Sequence, residues 1–159
     1  MKKALLLLLF VSTLFTISST TKTQHVAWKQ WNEGYPSAKS QNKVAIIDVY
    51  TDWCGWCKKM DKDTYEDSTI MAMIDEDFVA IKFNPELGGL YNVNDTTLDG
   101  RTLLSAMNQG GPNSGYPTTF FYIPSINQMY KVPGYHGAEE FKSILEQIQE
   151  FHESQAKGQ

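Results

Sequence analysis

The chain holds two cysteines, and they stand two residues apart in Asp52-Trp53-Cys54-Gly55-Trp56-Cys57-Lys58-Lys59-Met60. Upstream lies an apolar, β-branched run, Val44-Ala45-Ile46-Ile47-Asp48-Val49-Tyr50, and downstream the residues suit a helix. A strand that ends just before C-x-x-C, with a helix opening on it, is the layout of a dithiol redox site. Two thiols at that spacing can close into a disulfide and reopen, carrying two electrons each time. A bridge across two residues closes a very small loop, so it adds little to folding, and the spacing suits chemistry better than stapling.

The 159 residues fit one domain. Residues 1–20 read as a secretory signal peptide: a basic Met1-Lys2-Lys3 head, an apolar run from Ala4 to Ile17, and small residues at Ser18-Ser19-Thr20. The apolar run is short for a membrane crossing, although an uncleaved anchor is the alternative. Residues 21–159 are then the expected domain, large enough for one core. Without Lys2 and Lys3, 12 basic residues face 18 acidic ones, a net charge of −6. That balance argues against nucleic acid or an anionic membrane surface as partner.

Along the chain, Gln24–Trp28 is a short extended candidate. Pro36 fits the first turn of a helix running to about Gln41, where its missing N–H is not needed. Val44–Tyr50 is apolar on both faces, as a central strand should be. A helix runs from Gly55 towards Tyr65, and Asp67-Ser68 caps another over Thr69–Ile74. Phe78–Phe83 is a second strand, parallel to the first because a helix separates them. Residues 84–115 are irregular and rich in glycine, with a possible helix over Leu98–Met107. Thr118–Ile123 and Gln128–Val132 form a hairpin. In the last helix, Gly137 to about Ser154, Phe141, Ile144, Leu145, Ile148 and Phe151 share one face. This order predicts an α/β fold with a mixed sheet and helices on both faces.

The thiolate is the reactive form of cysteine, and a helix N-terminus stabilises it. Cys54 would occupy that position and attack a partner disulfide; Cys57, one turn in and more covered, would resolve the mixed disulfide. Half of a zinc site is the competing metal reading, but His25, His136 and His152 lack ligand spacing, so no metal is expected. An inert bridge is the other. Asp48 lies inside the apolar strand, where a carboxylate is costly and its pKa raised. It is either a proton donor and acceptor for Cys57 or a strand-end residue bonded to backbone. Tyr116-Pro117-Thr118 is a strand starter, or a cis loop that pairs with a bound peptide. Trp53 is expected packed and Trp56 exposed. Lys58, Lys59 and Lys82 bias the local field towards thiolate or simply face solvent. His136 reads as a loop residue, and Asn94-Asp95-Thr96 matches a glycosylation acceptor.

At these residues the chain resembles the thioredoxin family, and within it the C-terminal thioredoxin-like domain of DsbD-type thiol:disulfide interchange reductases. Asp48-Val49-Tyr50-Thr51-Asp52-Trp53-Cys54-Gly55-Trp56-Cys57-Lys58 is similar to that domain's D-x-Y-A-D-W-C-x-x-C-K. Lys62-Asp63-Thr64-Tyr65-Glu66-Asp67 resembles K-x-T-F-x-D, and Val132-Pro133-Gly134-Tyr135 through Phe141 resembles its V-x-G-F…F ending. The resemblance covers about residues 24–152. It implies a thioredoxin fold, a proton-shuttling Asp48 with Lys82 near it, a cis Pro117, and a docking surface of Trp53, Gly55, Trp56, Tyr116 and Pro117. It implies a periplasmic thiol–disulfide oxidoreductase needing no cofactor beyond the dithiol, acting on protein disulfides as a reductant. An upstream electron donor, such as a membrane reductase, would supply it. Gly-Trp between the cysteines departs from the family's Gly-Pro, and this leaves oxidase or isomerase activity, or a non-catalytic binding module, as alternatives. The long 84–115 segment is expected to be an insertion that shapes partner choice.

Overall fold

Val44–Val49 (β1) is the strand around which the other elements are arranged. In the computed structural model, which describes residues 25–157, all six of its residues are buried. Its neighbours are Phe78–Phe83 (β2), parallel to it, and Thr118–Ile123, antiparallel on the other side; Gln128–Pro133 completes the sheet beyond the latter. The helices are Trp31–Gln41 (α1), which precedes β1, Gly55–Met60 (α2), Ser68–Asp77 (α3) and Gly100–Met107 (α4), which lie between strands, and Ala138–Lys157 (α5), which follows the last strand. A short hairpin, Leu90–Val93 (β3) and Thr96–Asp99 (β4), precedes α4, so the hairpin after it is β5 (Thr118–Ile123) and β6 (Gln128–Pro133). The expected leader, residues 1–20, lies outside the described residues. Among those described, no helix is long and apolar enough to cross a membrane.

Side chains alternate across a strand, so β1 feeds two cores. Ala45, Ile47 and Val49 join Trp31, Tyr35, Phe83, Leu103, Phe120 and Tyr122 on the α1/α4 face. Val44 and Ile46 join Met60, Tyr65, Ile70, Ile74, Phe121 and Phe141 on the α2/α3/α5 face. Asp48 has the parity of Val44 and Ile46, and therefore points into the second core. Lys82 continues the Phe78–Ala80 row, and Thr119 the Phe121–Ile123 row, towards that same face. Register sets the three side by side: Asp48 opposes Lys82 on one flank and Thr119 on the other.

Three expectations need correction. Pro36 is not in the first turn of α1 but inside it, because the helix starts earlier, at Trp31. An interior proline costs about 3 kcal/mol, and burial of Trp31, Gly34, Tyr35 and Ala38, with the Trp31 and Tyr35 rings stacked at 4.8 Å, offsets it. The helix after the cysteines is not uniform: it widens into a π-helical turn over Asp61–Tyr65. The 84–115 segment is more regular than its glycines suggest. Asn94-Asp95 is the two-residue turn of the β3–β4 hairpin, with Asn94 at φ 52°. Trp31 Nε1 donates to Asn92 O, and Asn32 bonds Leu90 O and Asn92 N, so the hairpin is fastened to α1.

Candidate active site

Val49 ends β1, and Tyr50-Thr51-Asp52-Trp53 carries the chain over the sheet end to Cys54. Tyr50 N still donates to Phe83 O, and Cys54 N closes the turn on Thr51 O at 3.1 Å. Cys54 is the N-cap of α2: its Sγ accepts from Cys57 N at 3.0 Å, so an otherwise unpaired helix-end N–H points at sulfur. Cys54 and Cys57 are disulfide-bonded, with Cα atoms 5.3 Å apart. Their exposures, 4% and 3%, are nearly equal. Burial does little to distinguish the two residues; their places on the helix do.

Asp48 is 1% exposed. Its Oδ2 accepts from Lys82 Nζ at 2.5 Å, while Oδ1 has no hydrogen-bond partner. Burial raises the carboxyl above its ordinary value, and Lys82 offsets only part of that. Lys82 also bonds Asp61 Oδ1, the first residue of the π-helical turn. Burial pulls the Lys82 ammonium down, but the two carboxylates outweigh it and leave it above its ordinary value. The Trp28, Tyr50 and Tyr65 rings surround it at 4.7, 5.1 and 5.3 Å. The result is a screened cation linking a buried acid to a half-exposed one. Asp61, one helical turn beyond Cys57, carried only a weak signal in the sequence; Trp28 carried none.

Around the disulfide, Trp53 is 67% and Trp56 59% exposed. Contrary to the expectation from sequence, Trp53 is thus not packed, because its indole N–H is held outward by Glu86 Oε2 at 2.8 Å and its ring meets Tyr116 edge-on at 5.7 Å. Trp56 leans on Tyr135 at 5.4 Å. A Cβ on Gly55 would touch nothing within 4 Å, so the space beside Gly55 is open. Tyr116–Pro117 is cis, and Pro117 O accepts from Gly134 N at 2.9 Å, which joins this loop to the end of β6. Lys59 pairs with Asp63 on the exposed helix face, and His136 sits in the loop before α5 with Nδ1 3.0 Å from Glu140. Among the described residues, no group of three or more His, Cys, Asp or Glu is placed to hold a metal.

A family model, Thioredox_DsbH (Protein of unknown function, DUF255), matches residues 16–158. The chain belongs to the Thioredox_DsbH family. It is similar to the thiol:disulfide interchange protein DsbD of Ralstonia nicotianae, 29% identical over 115 residues, 72% of this chain and 17% of that protein. The chain spans about 12–17% of the length of curated relatives it matches. A thioredoxin from Thermus thermophilus superposes with a TM-score of 0.60 at 18% identity, over 78% of this chain and 87% of that one. A structure described as a DsbH oxidoreductase gives 0.59 at 15% identity, over 86% and 92%. The fold is thus the thioredoxin fold, as the motifs implied, and the chain carries a Cys-x-x-Cys disulfide.

Proposed function

We propose that this protein exchanges disulfides with partner polypeptides and works as a reductant in an exported compartment. In the reduced protein, the Cys54 thiolate attacks a partner's disulfide; that S–S bond breaks as the Cys54–partner bond forms. The Cys57 thiol gives its proton to Asp48, and its sulfur attacks Cys54 Sγ; the Cys54–partner bond breaks as the Cys57–Cys54 bond forms, and the partner's sulfur leaves as a thiolate. The partner leaves with two thiols, and the Cys54–Cys57 disulfide remains, two electrons poorer. Lys82 positions Asp48, and Trp53, Gly55, Trp56, Tyr116 and Pro117 form the surface on which partners dock. No bound cofactor is needed; an upstream dithiol donor, such as a membrane reductase, restores the reduced state.

The observation that carries this reading is the closed pair at the start of α2, with Cys57 N on Cys54 Sγ. The name of the DsbD relative supports the class of partner, and the leader-like residues 1–20 support export. Insulin reduction by wild type and Cys54→Ser tests catalysis: activity equal in both, or absent in both, would refute it. The reduction potential tests direction. A value near thioredoxin's, about −270 mV, agrees with a reductant, and one near −120 mV assigns an oxidase instead. Cys57→Ser attacks but does not resolve, and should hold its partner covalently in cells.

A further inference from the structure

Tyr65 is a buried tyrosine whose hydroxyl the exchange steps proposed above leave unused. It is the last residue of the π-helical turn over Asp61–Tyr65. Its ring is fixed from two sides, edge-on against Trp28 at 4.9 Å and Phe141 at 5.4 Å. Two contacts put its hydroxyl in the corner that holds Asp48. Thr119 opposes Asp48 across β1 and β5, and the Tyr65 hydroxyl lies 3.4 Å from Thr119 Oγ1. Lys82 Nζ, 2.5 Å from Asp48 Oδ2, stands 5.3 Å from the centre of the Tyr65 ring.

In that corner a donor and an acceptor are each short of a partner. An O–H···O bond ordinarily spans about 2.5–3.0 Å, so the contact with Thr119 is long and holds the Tyr65 proton weakly. Asp48 Oδ1 has no partner. A buried polar group left unsatisfied is expensive, and rotation of one O–H about its C–O bond relieves both. Burial first, and then the charge of Asp48, hold the Tyr65 phenol well above its ordinary value. Tyr65 therefore keeps its proton and meets the carboxyl as a donor, not as a second anion. Its hydrogen bond favours the charged form of Asp48, against the burial that opposes it.

We infer that Tyr65 is a positioning residue for the proton acceptor: its hydroxyl turns from Thr119 Oγ1 to the Asp48 oxygen that Lys82 leaves free, and keeps the carboxyl ionised until Cys57 yields its proton. Once Asp48 is protonated, the hydroxyl returns to Thr119. The inference rests on the role of Asp48 proposed above. Four other charged or titratable groups bear on Asp48. Lys82 from β2 serves its other oxygen, and Asp61 from the same turn as Tyr65 repels its charge. Tyr50, just past β1, acts on it only through space. Cys57 from α2 is, on the proposed reading, the thiol it deprotonates. Tyr65 is thus the donor placed to serve Oδ1.

Tyr65→Phe tests this, because it removes the hydroxyl and keeps the ring. The first reading involves no exchange chemistry: the oxidised full chain, labelled with ¹³C at its aspartate carboxyls, is titrated by NMR from pH 3.5 to 9.5. The Asp48 midpoint should rise by about one pH unit in the variant, the size expected for one lost hydrogen bond to a charged group. The second reading follows resolution of the mixed disulfide in the reduced protein by rapid-quench thiol trapping. Tyr65→Phe should slow it about tenfold below both midpoints and leave it unchanged above both. In an Asp48→Asn background the same substitution should have no effect, whereas a merely structural role would slow both backgrounds at every pH. An Asp48 midpoint that does not rise, or equal slowing with and without Asp48, would overturn the inference. A raised midpoint with a resolution rate indifferent to it upholds the Tyr65–Asp48 bond and defeats Asp48 as the proton acceptor instead. Should the variant not fold, wild type alone decides: the Tyr65 hydroxyl proton should move downfield as Asp48 ionises, and a signal flat through that titration overturns the inference.

Discussion

Replacing Asp48 with asparagine should make this protein more stable at neutral pH while slowing the disulfide exchange proposed above. The carboxyl is buried, one oxygen has no partner, and its pKa is raised. A group whose folded pKa lies above its unfolded value of about 3.9 contributes most below the unfolded value. That contribution is lost as pH rises through the folded value. Asp48→Asn removes this loss, because the amide stays neutral. Below pH 4 both side chains are uncharged and the two proteins should differ little. Above the folded pKa the variant gains about 1.4 kcal/mol for each unit by which the fold lifts the carboxyl. An unpartnered buried polar oxygen costs about 1–3 kcal/mol, and with Lys82 and the Tyr65 hydroxyl both favouring the charged form of Asp48, a gain of that order is expected at pH 8. Lys82 keeps Asp61 as its counter-ion in the variant, so its charge is not stranded. Urea melts of the oxidised wild type and variant from pH 3.5 to 8.5 read the difference directly. A gain of the same size at every pH, or a variant less stable at pH 8, would refute the reasoning. If Asp48 takes the Cys57 proton as proposed, the variant should resolve the mixed disulfide about 100-fold more slowly, read by rapid-quench thiol trapping.

Removing the partner instead should do the opposite: Lys82→Ala strands Asp48 and should cost about 3–5 kcal/mol at pH 7, less at pH 4, by the same melts. Gly100→Ala would bring a Cβ to 2.6 Å from Pro85 O, a backbone atom, and should destabilise by about 1–3 kcal/mol in urea. Asp67 caps α3 through Thr69 N at 2.8 Å and Ile70 N at 3.1 Å, so Asp67→Ala should lower stability by about 1 kcal/mol.

The four-stranded sheet was legible because each strand is a β-branched or aromatic run bounded by turn residues, and because parity and order fix direction. The Cys54–Cys57 pair was legible from spacing alone. Lys82 beside Asp48 came from resemblance, since nothing within one sequence says that residues 34 apart face each other; the parallel register of β1 and β2 does that. Trp53 was misread because apolar character predicts burial, whereas a single acceptor on Glu86, far along the chain, holds it in solvent. The β3–β4 hairpin carried a turn signal in Asn94-Asp95, but its strands are mostly exposed and too weakly apolar to announce themselves. Pro36 misled because tertiary packing of Trp31 outweighed local preference.

The sheet's flanks carry one more consequence. β2 is an outer strand, yet its free side is occupied: Lys29 N donates to Ala80 O and Lys82 N donates to Lys29 O, a single rung laid by the segment before α1. On the opposite flank, β6 carries Lys131 and Pro133, and Gln109 from beyond α4 reaches Met129 O. Both margins are thus blunted against foreign strands seeking to extend the ladder. An exchanger of the kind proposed above, meeting half-open chains at one end of its sheet, would be guarded at its sides from being zipped up by them.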